Sequence, residues 1–240
     1  AMIRSLFLST QALSKGANRP AGYPKYALNK VAVIGAGLMG AGIAYEQARA
    51  GIETILVDVS VENAEKGKDY SRKLVEKNVS RGKMTQEKGD ALLALIKPTA
   101  NYDDFKGADL VVEAVFENPE LKAQITKLAE AQLSDMAVMG SNTSTLPITG
   151  LAEASVRPAN FIGIHFFSPV ERMGLVEIIS GKETSEETLA KTIDYVLAIR
   201  KTPIVVNDSR GFYTSRCFGT YTQEGLEMLG EGIKPAIIEN

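Results

Sequence analysis

"VAVIGAGLMG", residues 31–40, joins a short apolar run to three glycines spaced G-x-G-x-x-G, and a helical pattern follows to Ala50. Strand, tight turn and helix is the reading. Gly35 permits the turn, Gly37 lets the backbone approach a pyrophosphate, and Gly40 lets helix and strand pack closely. Leu38 and Met39 open the helix, whose free N–H groups and positive potential favour a phosphate there. Asp58 closes the next apolar run, 18 residues after Gly40. A carboxylate at that point accepts hydrogen bonds from ribose hydroxyls and repels a 2′-phosphate, so NAD is expected over NADP. A lone glycine pattern is weak evidence, but here strand, helix and distant acid agree.

Outward from this unit the alternation continues. Strands are expected at 53–57, 109–115 and 137–140, and helices at 61–81, 86–95 and 119–133. Strands separated by helices imply a parallel sheet with right-handed crossovers. Further strand-like runs occupy 160–167, 175–180 and 204–206, with a helix at 186–200 between the last two and a helical pattern from Gly211 onward. Roughly thirty residues of helix cannot bury much core alone. The tail is expected to dock on the preceding domain, pair with another chain, or begin a further domain.

With 45% apolar and 23% charged residues, the composition is that of an ordinary globular protein. A net charge of -2, with both signs mixed along the chain, supplies no basic stripe for nucleic acid, which leaves small molecules as the expected partners. The single cysteine, Cys217, excludes an internal disulfide, and no Cys/His cluster has metal-ligand spacing, so no metal is expected. No apolar stretch reaches the roughly eighteen residues that span a bilayer. Residues 1–45 contain no acidic residue and carry an amphipathic pattern (Ile3, Leu6, Phe7, Leu13). A mitochondrial transit peptide and an ordinary helix both fit that pattern, and "RPAGYPKY" after it reads as a linker.

"GIHFFSPVERMGLVEII", residues 163–179, holds the only histidine. If its two apolar runs form an antiparallel hairpin closed by residues 168–174, Phe167 faces Leu175 and His165 therefore faces Glu177. A glutamate inside "LVEII" needs a partner, since an unpaired buried charge is costly. Its carboxylate would fix the imidazole tautomer and leave the other nitrogen for a substrate hydroxyl. A pair that merely satisfies itself fits the pairing equally well. The cofactor loop favours catalysis, because ligands of a doubly wound sheet lie beyond the carboxyl ends of its parallel strands.

Together "GAGLMGAGIA", "VVEAVFENPELK", "SNTSTLPIT", "GIHFFSPVERMGLVEII" and "DSRGFYTSR" resemble the L-3-hydroxyacyl-CoA dehydrogenase family in order and spacing, over about residues 28–240. The wording is most similar to the dehydrogenase portion of multifunctional fatty-acid oxidation proteins. The resemblance implies an α/β, Rossmann-like, doubly wound, mostly parallel sheet with late antiparallel strands over 28–207. It makes 1–27 an inter-domain helix and linker, and 208–240 the start of a C-terminal helical domain of which most is absent. Ala1 before Met2 reads as a cloning remnant.

The same resemblance implies NAD-dependent oxidation of (S)-3-hydroxyacyl-CoA to 3-oxoacyl-CoA. His165 is then the general base, Glu177 its orienting partner, and Ser144 the serine that meets the reacting oxygen. Glu117 and Lys122 fall at nicotinamide-side cofactor contacts, Asn142 at a backbone or cofactor contact, and Ser71 at a CoA contact. Two departures concern substrate contacts: Ser215 and Ser168 stand where many members have asparagine, and Ser215 retains a hydroxyl that can reach the oxygen. An acyl-CoA substrate, a preceding hydratase domain and a thiolase subunit are the implied partners. The implied setting is the bacterial cytoplasm, with the mitochondrial matrix as the alternative. Two rivals stand beside this reading. One is a short-chain β-hydroxyacid dehydrogenase, which needs a catalytic lysine motif not found here; the other is a non-catalytic NAD-binding module.

Overall fold

The computed structural model describes residues 3–239. Its strands are β1 (Lys30–Ile34), β2 (Glu53–Val57), β3 (Ile96–Thr99), β4 (Leu110–Glu113), β5 (Val138–Ser141), β6 (Phe161–Phe166), β7 (Leu175–Ser180) and β8 (Thr202–Asn207). They form one sheet in the order β3-β2-β1-β4-β5-β6-β7-β8. The first six run parallel, β7 is antiparallel to β6, and β8 is parallel to β7. The order reverses between β1 and β4, and a crevice opens at such a switch point beyond the carboxyl ends of the strands.

Helices α1 (Ser9–Ser14), α2 (Leu38–Arg49), α3 (Val61–Ser80), α4 (Gln86–Leu95), α5 (Pro119–Glu130), α6 (Ile148–Ala152), α7 (Glu186–Ala198), α8 (Thr214–Gly230) and α9 (Pro235–Ile238) complete the described residues. Ser60, Thr85, Asn118 and Ser185 each precede a helix and accept a hydrogen bond from the N–H three residues on, which satisfies one orphan donor of the first turn. Because strand side chains alternate, β1 feeds both faces of the sheet. Val31 and Val33 join the core that includes Ile43 of α2 and Ile193 of α7. Ala32 and Ile34 join the core that includes Ile125 of α5 and Ile148 of α6. Burial on both faces is why these strands read as unbroken apolar runs.

Two differences from the sequence reading concern the sheet's edges. β3 follows α4 directly and contains Pro98, which hides it from a strand search; a proline lacks a ladder donor and is tolerated because β3 is an edge strand. β8, at the opposite edge, starts two residues earlier than expected and contains Pro203. Residues 3–14 are helical, and Ala1 and Met2 lie outside the described residues. Past Gly211, at φ +74°, and Phe212, at φ 48°, the chain enters α8, none of whose residues is buried.

The loop between β6 and β7 is gripped from three sides. The buried Lys201 donates to the Val170 and Met173 carbonyls, both at 2.7 Å, and lies 3.5 Å from Glu46 of α2. Tyr70 of α3 donates to Glu171. Val170 fills the notch left by Gly42, where an added Cβ would come within 2.8 Å of its side chain. Burial pushes the Lys201 pKa down, partly offset by Glu46, and pushes Glu46 up, partly offset by Lys201 and Arg49. Lys201→Met is expected to lower the unfolding free energy by about 3 kcal/mol, because Glu46 stays buried with less compensation. The double variant with Glu46→Gln should recover part of that loss. Urea melts of the three proteins check it, and an unchanged midpoint in Lys201→Met would refute it.

Candidate active site

The glycine loop divides its labour as the spacing predicts. Gly35 sits at φ +95°, and a Cβ there would meet the Ala114 carbonyl at 2.7 Å. A Cβ on Gly40 would lie 1.7 Å from the Gly35 carbonyl oxygen, so only glycine lets α2 leave the turn this closely. Gly37 differs from both, because its Cβ would meet no protein atom within 4 Å. No side chain caps α2, and Gly37 and Leu38 are exposed, so the helix N-terminus faces open space. That is the cradle a pyrophosphate needs: free N–H groups, positive potential and no Cβ in the way. Met39 is half-buried and packs against the core beneath the loop. Asp58 accepts from the Ala36 N–H at 2.7 Å and from Asn63 at 3.3 Å, which holds its carboxylate beside the loop. The residues present fit a dinucleotide.

A second cluster lies at the ends of β4 and β5. Glu113, buried at the end of β4, accepts two hydrogen bonds from Lys122 and one each from the Ser141 hydroxyl and the Val115 N–H. Lys122 is only 2% exposed and also lies 3.4 Å from Glu117. Its ammonium is held inside the protein by two carboxylates. Glu117 is the group that faces outward. It accepts from the Thr143 hydroxyl at 2.9 Å and from both the N–H and hydroxyl of Ser144, at 2.8 and 3.3 Å. Burial would raise the Glu117 pKa, but the Ser144 N–H, Lys122 and Thr143 together hold it below its ordinary value.

His165 and Glu177 are directly opposed in the β6–β7 ladder, and Nδ1 lies 2.7 Å from Oε2. An ionised carboxylate only accepts, so Nδ1 carries a proton, and in the neutral ring Nε2 is then the bare nitrogen. Among the described residues Nε2 has no hydrogen-bond partner. Glu177 is fully buried, and three further donors reach it: the Tyr213 N–H, the Thr214 N–H and the Thr214 hydroxyl. The carboxylate thereby caps α8, where the helix's positive end favours an anion. Burial alone would raise the Glu177 pKa, yet the bonds from His165 and Thr214 outweigh it and hold the group below its ordinary value. The His165 ring stacks at a tilt against Phe167, with centroids 4.5 Å apart, and Phe212 stands 6.2 Å away on another side.

The remaining expected residues divide. Asn142 accepts the Phe166 N–H on its side-chain oxygen at 2.8 Å. Ser215 is half-buried in the first turn of α8, but its neighbour Thr214 is the residue that meets Glu177. Ser168 is exposed in the loop after His165. Ser71 is fully buried on the stripe of α3 that contains Ala64, Gly67 and Val75, and its hydroxyl has no partner.

Glu113, Thr143 and Thr214 escaped the sequence reading. Glu113 carried a usable signal, an acid inside the apolar run "LVVEAV", which is the pattern that exposed Glu177. Among the described residues no group of three or more His, Cys, Asp or Glu side chains forms a metal site, and no helix is long and apolar enough to cross a membrane.

A family model described as 3-hydroxyacyl-CoA dehydrogenase, NAD binding domain, matches residues 30–209. The chain belongs to that family. It is 45% identical over 216 residues to the fatty acid oxidation complex subunit alpha of Psychrobacter arcticus, covering 90% of this chain and 30% of that protein. It therefore spans under a third of the length of that curated relative. Among solved structures it superimposes on (S)-3-hydroxybutyryl-CoA dehydrogenase PaaH1 from Ralstonia eutropha with a TM-score of 0.84 and 36% identity, over 87% of this chain and 74% of that one. The 3-hydroxybutyryl-CoA dehydrogenase of Escherichia coli K12 gives 0.84 and 32%, over 87% and 44%. Membership fixes the cofactor class as NAD, in agreement with the open glycine loop and the placement of Asp58.

The second and third glycines of the loop make opposite demands. Gly40→Ala must displace the turn and is expected to cost at least about 2 kcal/mol of stability. Gly37→Ala should melt like the wild type yet weaken NADH binding by about tenfold or more, as its methyl fills the cradle. Calorimetric melts beside NADH titrations check both. The lowered pKa of Glu117 has a pH signature: an acid whose folded pKa is depressed stabilises above its unfolded value, and the contribution disappears as pH falls through the folded one. The stability gap between wild type and Glu117→Gln should therefore be full at neutral pH and close progressively below the ordinary value of 4.5. A gap that stays constant down to the acid transition would contradict this.

Proposed function

We propose that this chain carries NAD-dependent oxidation of (S)-3-hydroxyacyl-CoA to 3-oxoacyl-CoA, as in fatty-acid β-oxidation. The observation that carries the reading is the His165–Glu177 pair at the ligand edge of the sheet, with Nδ1 bonded at 2.7 Å and Nε2 free. The names of the relatives, hydroxybutyryl-CoA dehydrogenases and fatty acid oxidation alpha subunits, support it.

When bound, NAD supplies the acceptor for the hydride that leaves C3. His165 takes the hydroxyl proton at Nε2, and the bond from Nδ1 to Glu177 keeps the ring in that tautomer while the proton arrives. Glu177 stays ionised because His165, the α8 N-terminus and the Thr214 hydroxyl all donate to it. Ser144, held through its N–H by Glu117, is assigned to the reacting oxygen, with Ser215 as the second hydroxyl. Gly37, the first turn of α2 and Asp58 hold the adenosine diphosphate half, and Glu117 faces the nicotinamide half with Lys122 behind it. Ser168 lies where the acyl chain enters.

Residues 1–27 serve in this reading as an inter-domain linker and 208–240 as the beginning of a helical domain that walls the acyl site. A hydratase domain and a thiolase subunit are the proposed partners in the whole protein, and a bacterial cytoplasm the proposed setting. A second reading, NAD binding without turnover, is favoured by α8, whose large side chains Phe218, Tyr221 and Leu226 are all exposed, leaving that wall unbuilt by the described residues.

NADH oxidation on adding acetoacetyl-CoA tests both. Turnover is expected from the wild type; His165→Ala should lose at least about a hundredfold while binding NADH unchanged, and Asp58→Ala should weaken NADH binding. An active His165→Ala protein would overturn the assignment of the base. Saturable NADH binding with no wild-type turnover would select the second reading.

A further inference from the structure

We propose that Asn142 is a positioning residue for His165, acting through the backbone of β6. β5 and β6 differ in length. The parallel ladder between β5 and β6 ends where Ser141 meets Gly163, but β6 runs on to Phe166. Beyond that bridge, at His165 and Phe166, β6 keeps its register only on the β7 side, where pairing continues to Phe166 and Val176. His165 stands in this overhang. An N–H on the bare side, next to a catalytic ring, needs an acceptor or the strand frays.

Asn142, the first residue past β5, supplies one. Its Oδ1 accepts the Phe166 N–H at 2.8 Å. An N–H can only donate, so the amide oxygen faces β6 and its orientation is fixed by chemistry. Asn142 is itself anchored from the other side, since its own N–H donates to the Glu113 carbonyl at 2.7 Å. A side chain thus extends the ladder by one rung and ties β4 to the residue that follows the base. Of the backbone and cofactor contacts that the sequence offers for Asn142, its side-chain oxygen makes the backbone one. The inference rests on His165 as the base for its kinetic arm only.

The test uses Asn142→Ala, which removes the acceptor, and Asn142→Asp, which keeps an acceptor of the same shape. Three quantities are read: hydrogen exchange of the Phe166 amide, the ring resonances of the only histidine, and kcat beside the NADH dissociation constant. Asn142→Ala is expected to speed Phe166 exchange by about tenfold or more, shift the histidine resonances, and lower kcat by about tenfold with NADH binding unchanged. Asn142→Asp should restore Phe166 protection, the histidine spectrum and most of kcat. The inference falls if Asn142→Ala leaves Phe166 exchange and the histidine spectrum as in the wild type. It falls equally if Asn142→Asp protects Phe166 yet stays as slow as the alanine variant, since the amide nitrogen would then be the group that matters. Should the wild type show no turnover, the proposed function fails, and exchange with the histidine spectrum still decides the role of Asn142.

Discussion

Burying the Glu177 carboxylate strands a charge that must be met by donors from the protein, and the arrangement that meets it organises the whole functional end of the molecule. His165 donates from the opposing strand, and Tyr213 and Thr214 donate from the start of α8. A one-residue slip of the β6–β7 register would move Glu177 to the other face, away from His165 and α8 together. One buried charge thereby fixes the hairpin register, the docking of α8 on the sheet and the imidazole tautomer. Each carboxylate oxygen accepts two of these bonds, so removing one donor halves the pairing of one oxygen, at a cost of about 1–3 kcal/mol.

The same logic repeats three strands away. Glu113 ends β4 as a buried carboxylate and is satisfied by Lys122, Ser141 and the Val115 N–H. Lys122, held there, also neutralises Glu117, which in turn fixes Ser144 and Thr143. Two buried acids thus anchor two separate sets of outward-facing groups, one centred on His165 and the other on Glu117. Asn142, between them, is bonded to both strands that carry these acids' neighbourhoods, through the Glu113 carbonyl and the Phe166 N–H.

Much of this was legible in the chain because its signals are local. The glycine spacing needs only backbone geometry and the position of the next acid, and the strand runs stand out because a sheet covered on both faces leaves them apolar throughout. The pairing of His165 with Glu177 followed from the symmetry of a hairpin. The failures have equally physical causes. Pro98 masks an edge strand that tolerates it, and the burial of Ser71 depends on packing that a serine in a charged helix does not announce. Lys122 looks like half of a solvated pair because nothing local says that Glu113, nine residues earlier, is aimed at it. Thr214 gave no signal, since whether its hydroxyl meets Glu177 depends on how α8 leaves the positive-φ turn at Gly211 and Phe212.

By itself, then, the sequence determined the alternation of strands and helices, the open glycine loop, the acid beside it and the facing histidine and glutamate. Each is set by spacing within a turn, a strand or a single hairpin. Only the tertiary structure decided which polar groups remain available to a ligand. Lys122, Ser71 and the oxygen of Asn142 are enclosed or engaged by the protein, while Glu117 and Nε2 of His165 are left open. The physical reason is that a donor or acceptor is spent or free according to neighbours brought from distant parts of the chain, and no local pattern records where those neighbours arrive.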